Sequence, residues 1–446
     1  MERPEIKMPL PGPNAKRVVE KDKMYISPSY TRDYPAVIEK GDGVWLWDID
    51  GNKFLDLAAG IAVNSTGHVH PKVRDAIIEQ AKKLIHVGGT DFYYEIQVKL
   101  AKRLAEIVPV AGERKKVFFG NSGTEAVEGA IKLARHKTRR PIIIGFLGAF
   151  HGRTMGTLAL TASKAIQRRY FAPMMPQAVH IPYPDPYRTP FGVPKEKVTD
   201  VVIEYLDRVF HTVAPPEDVA AVVVEPIQGE GGYIVPPKDF FPRLKEMLEK
   251  YGILLITDEV QSGVARTGKW YAIEHWGVKP DILTTAKGIA SGMPISAFVA
   301  SDEIMDWPPG AHGNTFGGNP ISSAAALATL EVLEPLLPQI SEVGDYTMKR
   351  LRELQEKYEE IGDVRGIGLM IGIDFVKDRE TKEYYTEFRD AVLHEAFHRG
   401  LIMLPCGYSV IRVSPPLIIT KEHIDVAIEI LDGSIKAARE KIAKSK

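Results

Sequence analysis

A lysine that closes an apolar strand is a candidate nucleophile, and Lys287 is placed that way in DILTTAKGIASGMP (281–294). Ile282, Leu283, Thr284 and Thr285 form an apolar, β-prone run, and Gly288 and Gly292 break the pattern just beyond the lysine. In open α/β sheets, ligands bind outside the carboxyl ends of the strands. An amine held there loses hydration, its pKa falls, and it suits Schiff-base chemistry with a carbonyl. Taken alone, a strand-end lysine is more often a solvated terminus. A second apolar run, GILLITDEVQSG (252–263), ends in Asp258. An amine for an aldehyde and a carboxylate for a pyridinium nitrogen are the pair that pyridoxal-phosphate chemistry requires.

Three further stretches carry polar groups at similar places. GNSGTEAVEGAIKLARHKT (120–138) follows the run KVFFG and opens a helical pattern. Ser122, Gly123 and Thr124 there would present N–H and hydroxyl groups at a positive helix end, a site for a phosphate monoester. A plain serine cap with glycine for the turn explains the same residues. FHGRT (150–154) sets Phe150, His151 and Arg153 just past RPIIIGF. An aromatic face covers a flat ring and a guanidinium grips a carboxylate; the bland alternative is a core aromatic and a surface arginine. EPIQGEGG (225–232) ends the run AVVVEP with Glu225 and Glu230 in a Gly-rich turn, where they either orient a site or stay solvated.

Three other patterns are discounted. GVARTGK (263–269) has P-loop spacing, but Trp270 stands where a magnesium-binding Ser or Thr is required. HEAFH (394–398) has zinc-protease spacing, yet its helix face also carries Glu387 and Asp390, which reads as solvated surface with no metal. RGIGLMIG (365–372) only approaches dinucleotide-binding spacing.

The elements needed to position these groups follow from periodicity. The runs KVFFG, RPIIIGF, AVVVEP, ILLITDE, DILTTA and ISAFVAS alternate with helical patterns, which predicts parallel β/α units in one twisted sheet. Residues 37–63 alternate around Asp42-Gly43 and Asp50-Gly51 as an antiparallel meander, preceded by a Pro-rich, irregular arm to about residue 35. Helices are expected over 70–86, 94–108 and 320–337, then a charged one to about residue 358. The end of the chain reads as an α+β unit, with strands GLMIGIDFV, LIMLPCG and VIRVSPPLIIT and helices near 381–399 and 421–441.

The 446 residues suffice for two or three domains, with 44% hydrophobic and 26% charged residues, as in ordinary globular enzymes. A net charge of -1 gives no nucleic-acid surface, and the single Cys406 allows no internal disulfide. The start lacks an apolar signal core, so no membrane contact and a cytoplasmic location are the expectation.

In this order, GNSGTEA, FHGRT, EPIQGEGG, DEVQSG, TTAKG and GNTFGGNP resemble the class III pyridoxal-phosphate aminotransferases, from about Gly12 to the last helix. That family includes the 4-aminobutyrate and ornithine enzymes and also admits amino-acid racemases. The resemblance implies an α/β protein of fold type I: a large domain around a mostly parallel, seven-stranded-type sheet, plus a smaller α+β domain. The corresponding boundaries are an N-terminal arm and small-domain segment at 1–80, a cofactor domain at 81–335 and a small domain at 336–446. It implies that Lys287 forms the internal aldimine with pyridoxal 5'-phosphate and shuttles the proton, with a pyridoxamine phosphate intermediate, and that Asp258 holds the ring nitrogen. Gln261 matches the partner of the phenolic oxygen, Phe150 the ring stack with His151 beside it, and Ser122, Gly123 and Thr124 the phosphate cradle. Glu225 matches an acid supporting the Gln261 side, and Thr315 a phosphate ligand donated to the neighbouring subunit, hence a homodimer or larger assembly.

Arg412 resembles the grip on the substrate α-carboxylate, Glu230 its gate for ω-amino substrates, and Arg153 a second grip. Ile61 in GIAV resembles the 4-aminobutyrate type, while GGTDFYYEIQ (88–97) departs from it and leaves the substrate open. The expected activity is transfer of an amino group from 4-aminobutyrate, ornithine or a relative to 2-oxoglutarate; the alternative is an amino-acid racemase with the same lysine and no keto-acid partner. A scaffold that had lost its chemistry is disfavoured by the presence of both Lys287 and Asp258.

Overall fold

The computed structural model describes residues 2–445. Its centre is a seven-stranded sheet in the order Lys115–Gly120, Ser296–Ser301, Ile282–Thr285, Leu254–Asp258, Val219–Val224, Ile142–Phe146 and Ala178–Ile181. Only Ser296–Ser301 runs against the rest. Every residue of Val219–Val224 is buried, because helices cover both faces and leave no polar side. The helix Gly123–Thr138 lies so close that a Cβ on Gly129 would fall 2.3 Å from the Phe298 ring. With the strands aligned, their carboxyl ends and the turns that follow gather along one edge.

Two smaller sheets flank this core. Ile38–Asp42, Trp45–Asp48 and Lys53–Asp56 form the meander, to which Leu401–Ile402 from the far end of the chain adds in parallel. Ile361–Ile367, Met370–Phe375, Val410–Val413 and Leu404–Cys406 form an antiparallel sheet. The helices Thr386–His398 and Lys421–Ser445 pack on one another. One stretch, 320–357, holds a window apolar enough for a membrane span (mean hydropathy 1.2), and 56% of that window is buried in the fold.

The structure departs from local periodicity at several points. The arm is not irregular throughout: Pro13–Tyr25 is a helix, with Pro13 at its first turn. Its free N–H groups are capped from a distance, Asn14 N and Ala15 N donating to Asp50 Oδ1 and Oδ2 at 3.0 and 2.8 Å. After the meander, Ala59, Gly60, Ile61 and Ala62 take φ of 47, 63, 68 and 58°, one left-handed turn. Such a turn costs each non-glycine residue about 1–2 kcal/mol. Asp56 Oδ1 holds it by accepting from Ala58 N and Ala59 N at 2.8 and 3.0 Å. The edge strand Ala178–Ile181 is too short, between Pro176 and Pro182, to register as a run. The last predicted strand is ordered only over Val410–Val413, because two prolines follow. The His394 and His398 rings lie 4.2 Å apart at a 35° tilt on an outer helix, and among the described residues no three metal-ligating side chains gather.

Candidate active site

At the carboxyl edge of the large sheet lies a cavity of about 430 Å³, the size of a small-cofactor pocket. The turns after five of the sheet's strands supply its walls, with Val63 added from just after the left-handed turn. After Lys115–Gly120, Ser122 caps the helix Gly123–Thr138 and shares a capping box with Glu125. The first N–H groups of a helix have no intrahelical acceptor, so this end offers donors to an anion. Gly123 must be glycine, because a Cβ there would sit 2.8 Å from Val260 Cγ1. The Thr124 hydroxyl is already engaged with Thr154 and Thr157 at 2.6 and 2.7 Å, so its backbone N–H is the group left for a ligand.

The turn after Ile142–Phe146 brings Phe150, His151 and Arg153 into the wall, the Arg153 guanidinium 5.8 Å from the Phe150 ring centre. Phe150 N donates to Glu225 Oε1 at 2.9 Å, and Gly229 N donates to Glu225 Oε2 at 2.8 Å. Asp258 ends Leu254–Asp258 with both oxygens occupied: Oδ2 lies 2.8 Å from His151 Nδ1, and Oδ1 accepts from Val260 N and Thr284 Oγ1. Gln261 lines the cavity with its Oε1 buried and unpartnered. Lys287 has φ of 47°, a left-handed conformation that a lysine holds at a cost of about 1–3 kcal/mol and that is common at functional sites. Among the described residues its amine makes no hydrogen bond or ion pair.

The electrostatics separate these groups. Burial pushes the Lys287 amine below its usual range, and Arg412 adds to this, against the pull of Glu230, Asp258 and Glu225. Burial, helped by the Asp258 charge, pushes the Glu225 carboxyl up to about 7. Burial would lower His151, but the hydrogen bond and charge of Asp258 outweigh it and hold the imidazole above its usual value.

Glu230 and Arg412 stand outside this wall, yet both act electrostatically on Lys287. Arg412, on Val410–Val413, donates from Nη1 to Glu230 Oε1 at 2.7 Å, with side-chain exposures of 6% and 15%. Burial alone would raise Glu230; Arg412, Lys164 and Lys287 together hold it below the usual carboxylate range.

The cavity thus brings together Ser122, Gly123 and Thr124, then Phe150, His151 and Arg153, and then Glu225, Asp258, Gln261 and Lys287. Ile61 does not line it; it is 39% exposed on the left-handed turn, whose neighbour Val63 does. Thr315 is exposed and does not line this chain's own cavity. Sequence reasoning missed Val63, Asn121, Val260 and Ile295 in the wall. Asn121, Val260 and Val63 lie inside the stretches GNSGTEA, DEVQSG and GIAV, and Ile295 follows DILTTAKGIASGMP, but none of the four has a polar side chain of the kind that marks a site except Asn121. An unengaged amine, an unpartnered amide oxygen, a carboxylate and a helix end with its glycine fit the aldehyde, phenolic oxygen, ring nitrogen and phosphate of pyridoxal phosphate.

Residues 26–435 match the family described as aminotransferase class-III. The chain is 44% identical over 448 residues to the alanine/serine racemase of Pyrococcus horikoshii, covering 98% of this chain and 93% of that one. It is 40% identical over 421 residues to the acetylornithine aminotransferase of Methanothermobacter thermautotrophicus, covering 94% and 98%. Among solved structures it is similar to a thermostable (S)-enantioselective omega-transaminase from Thermomicrobium roseum, with a TM-score of 0.88, 33% identity and coverage of 95% and 99%.

Proposed function

From the premise that this chain belongs to the aminotransferase class-III family, whose enzymes depend on pyridoxal phosphate, we propose that it moves the amino group of an ω-amino acid to 2-oxoglutarate. The donor class is 4-aminobutyrate, ornithine or a close relative. The pairing of Arg412 with Glu230 at 2.7 Å carries this reading. An ω-amino acid brings no carboxylate next to its reacting carbon. An arginine kept there for the keto-acid half would then be a buried, unpaired charge, a penalty of about 3–5 kcal/mol. Glu230 neutralises it until an α-carboxylate takes its place.

Ser122, Gly123 and Thr124 would hold the phosphate, Phe150 would cover the ring, and Gln261, backed by Glu225, would face the phenolic oxygen. Asp258 accepts three protein hydrogen bonds. An ionised carboxylate has about four acceptor sites, which leaves one for a ring N–H. When bound, the cofactor supplies an electron sink for the carbanion left by C–H cleavage. Lys287 Nζ, with its basicity lowered by burial, would carry the proton between the substrate carbon and the cofactor. Arg153 would grip a second carboxylate, Ile61 would shape the entrance, and Thr315 would serve the site of a second copy in a homodimer.

A second reading, amino-acid racemisation by the same lysine, is favoured by the 44% identity to an alanine/serine racemase across 98% of the chain. Incubation of the holoenzyme with single L-amino acids and with 4-aminobutyrate, with and without 2-oxoglutarate, tests both. Glutamate formation that needs 2-oxoglutarate is the expected result. D-enantiomer appearing at a turnover rate, with no amino transfer when 2-oxoglutarate is added, would overturn the first reading in favour of the second.

A further inference from the structure

Of the three cations that act on Glu230, two lie within ion-pair distance, Arg412 and Lys164, and Lys164 has no part in the function proposed. While its Oε1 accepts from Arg412 at 2.7 Å, its Oε2 faces Lys164 Nζ at 3.7 Å. The two cations differ in depth: the Arg412 side chain is 6% exposed and the Lys164 side chain 40%. Among the described residues the Lys164 amine has no other hydrogen bond or ion pair. The Glu230 backbone is pinned, because its carbonyl accepts from Gly407 N at 2.8 Å and Gly232 N closes the turn onto Gly229 O at 3.1 Å. Only the side chain is therefore free to exchange partners.

We propose that Lys164 is the second station of Glu230: when a substrate α-carboxylate takes Arg412, the released carboxylate closes onto Lys164 Nζ. This rests on the reading that Glu230 caps Arg412. A displaced carboxylate without a partner would be a mostly buried, unpaired charge, which is strongly unfavourable. Closing the gap from 3.7 Å to hydrogen-bond distance takes a movement of about 1 Å by a flexible lysine stem. The deep arginine holds the glutamate while no α-carboxylate is present, and the shallow lysine holds it when one arrives. Lys164 is thus a positioning residue, acting on the substrate through Glu230.

The test uses the holoenzymes of wild type, Lys164→Gln, Lys164→Arg, Glu230→Gln and the Lys164→Gln/Glu230→Gln double variant. Calorimetry measures the Kd of glutarate, a dicarboxylate with no reactive carbonyl, and kinetics give KM and kcat for 2-oxoglutarate. Lys164→Gln is expected to weaken glutarate about fivefold and to raise KM with little change in kcat. Lys164→Arg should restore binding, and Lys164→Gln should have no effect in the Glu230→Gln background. Equal weakening in both backgrounds would mean that the lysine touches the ligand itself, and would overturn the proposal. If Glu230→Gln tightens glutarate while Lys164→Gln changes nothing, the proposal fails and the gate survives. If Glu230→Gln leaves glutarate binding unchanged, the gate fails and takes the proposal with it.

Discussion

At the large-sheet end of the site Asp258 receives three protein hydrogen bonds and Glu225 two from backbone N–H groups. At the C-terminal end, Glu230 shares one hydrogen bond with Arg412 and a looser ion pair with Lys164, both side-chain partners. A carboxylate tied to backbone donors cannot turn away without orphaning them, a loss of about 1–3 kcal/mol for each buried group. A carboxylate between two flexible cations can exchange one for the other. On the function proposed, the contrast divides the site into a preformed end that would hold a resident cofactor and an exchangeable end that would meet substrates with and without an α-carboxylate.

Lys287→Ala attacks the preformed end most directly. It is expected to lower kcat at least about 10³-fold while the fold and phosphate cradle persist. Turnover within tenfold of wild type would show that the amine is not the proton carrier. Asp258→Asn is expected to lower kcat about 10²–10⁴-fold with little change in KM, because geometry is kept and the negative charge is lost. A matching rise in KM would instead make Asp258 a binding residue.

Arg412→Lys probes the exchangeable end and should act on KM rather than kcat. Losing the rigid fork is expected to raise KM for 2-oxoglutarate about 10–100-fold, while the 4-aminobutyrate half-reaction changes far less. An equal effect on both halves would remove the distinction between the two ends.

The smallest effect is on stability. The Glu225 carboxyl is raised to about 7, chiefly by burial, above its unfolded-state value. Its stabilising contribution is complete below the unfolded pKa and is lost as pH rises through about 7. Urea unfolding of the wild type should therefore lose on the order of 1–3 kcal/mol from this group between pH 5 and pH 8. Glu225→Gln should have a flatter profile over that window, and an unchanged slope would show that Glu225 titrates normally.

Much of the preformed end was legible because it is local. An apolar run that stops at Asp258, or at Lys287 with a glycine next, gives the strand, its end and the polar group together. The same holds for Ser122 and Phe150, each beyond its own run. The exchangeable end was much less legible from spacing. Arg412 and Glu230 are 182 residues apart, and family resemblance alone coupled them. Lys164, in a short loop rich in ordinary surface residues, gave no signal at all. The helix Pro13–Tyr25 was missed because its cap is Asp50, and the left-handed turn at Ile61 because Asp56 forces a conformation that alanine and isoleucine disfavour.

The sequence by itself determined the alternation of strands and helices and the placing of a lysine and an aspartate at two strand ends, since both follow from side-chain periodicity and backbone propensity over a few residues. Only the tertiary structure decided which charges face one another: that three hydrogen bonds, one of them with His151, fix Asp258, and that Glu230 stands between Arg412 and Lys164. The reason is physical. Burial and distance set the strength of a charge interaction, and neither is defined until chain segments far apart in sequence have packed together.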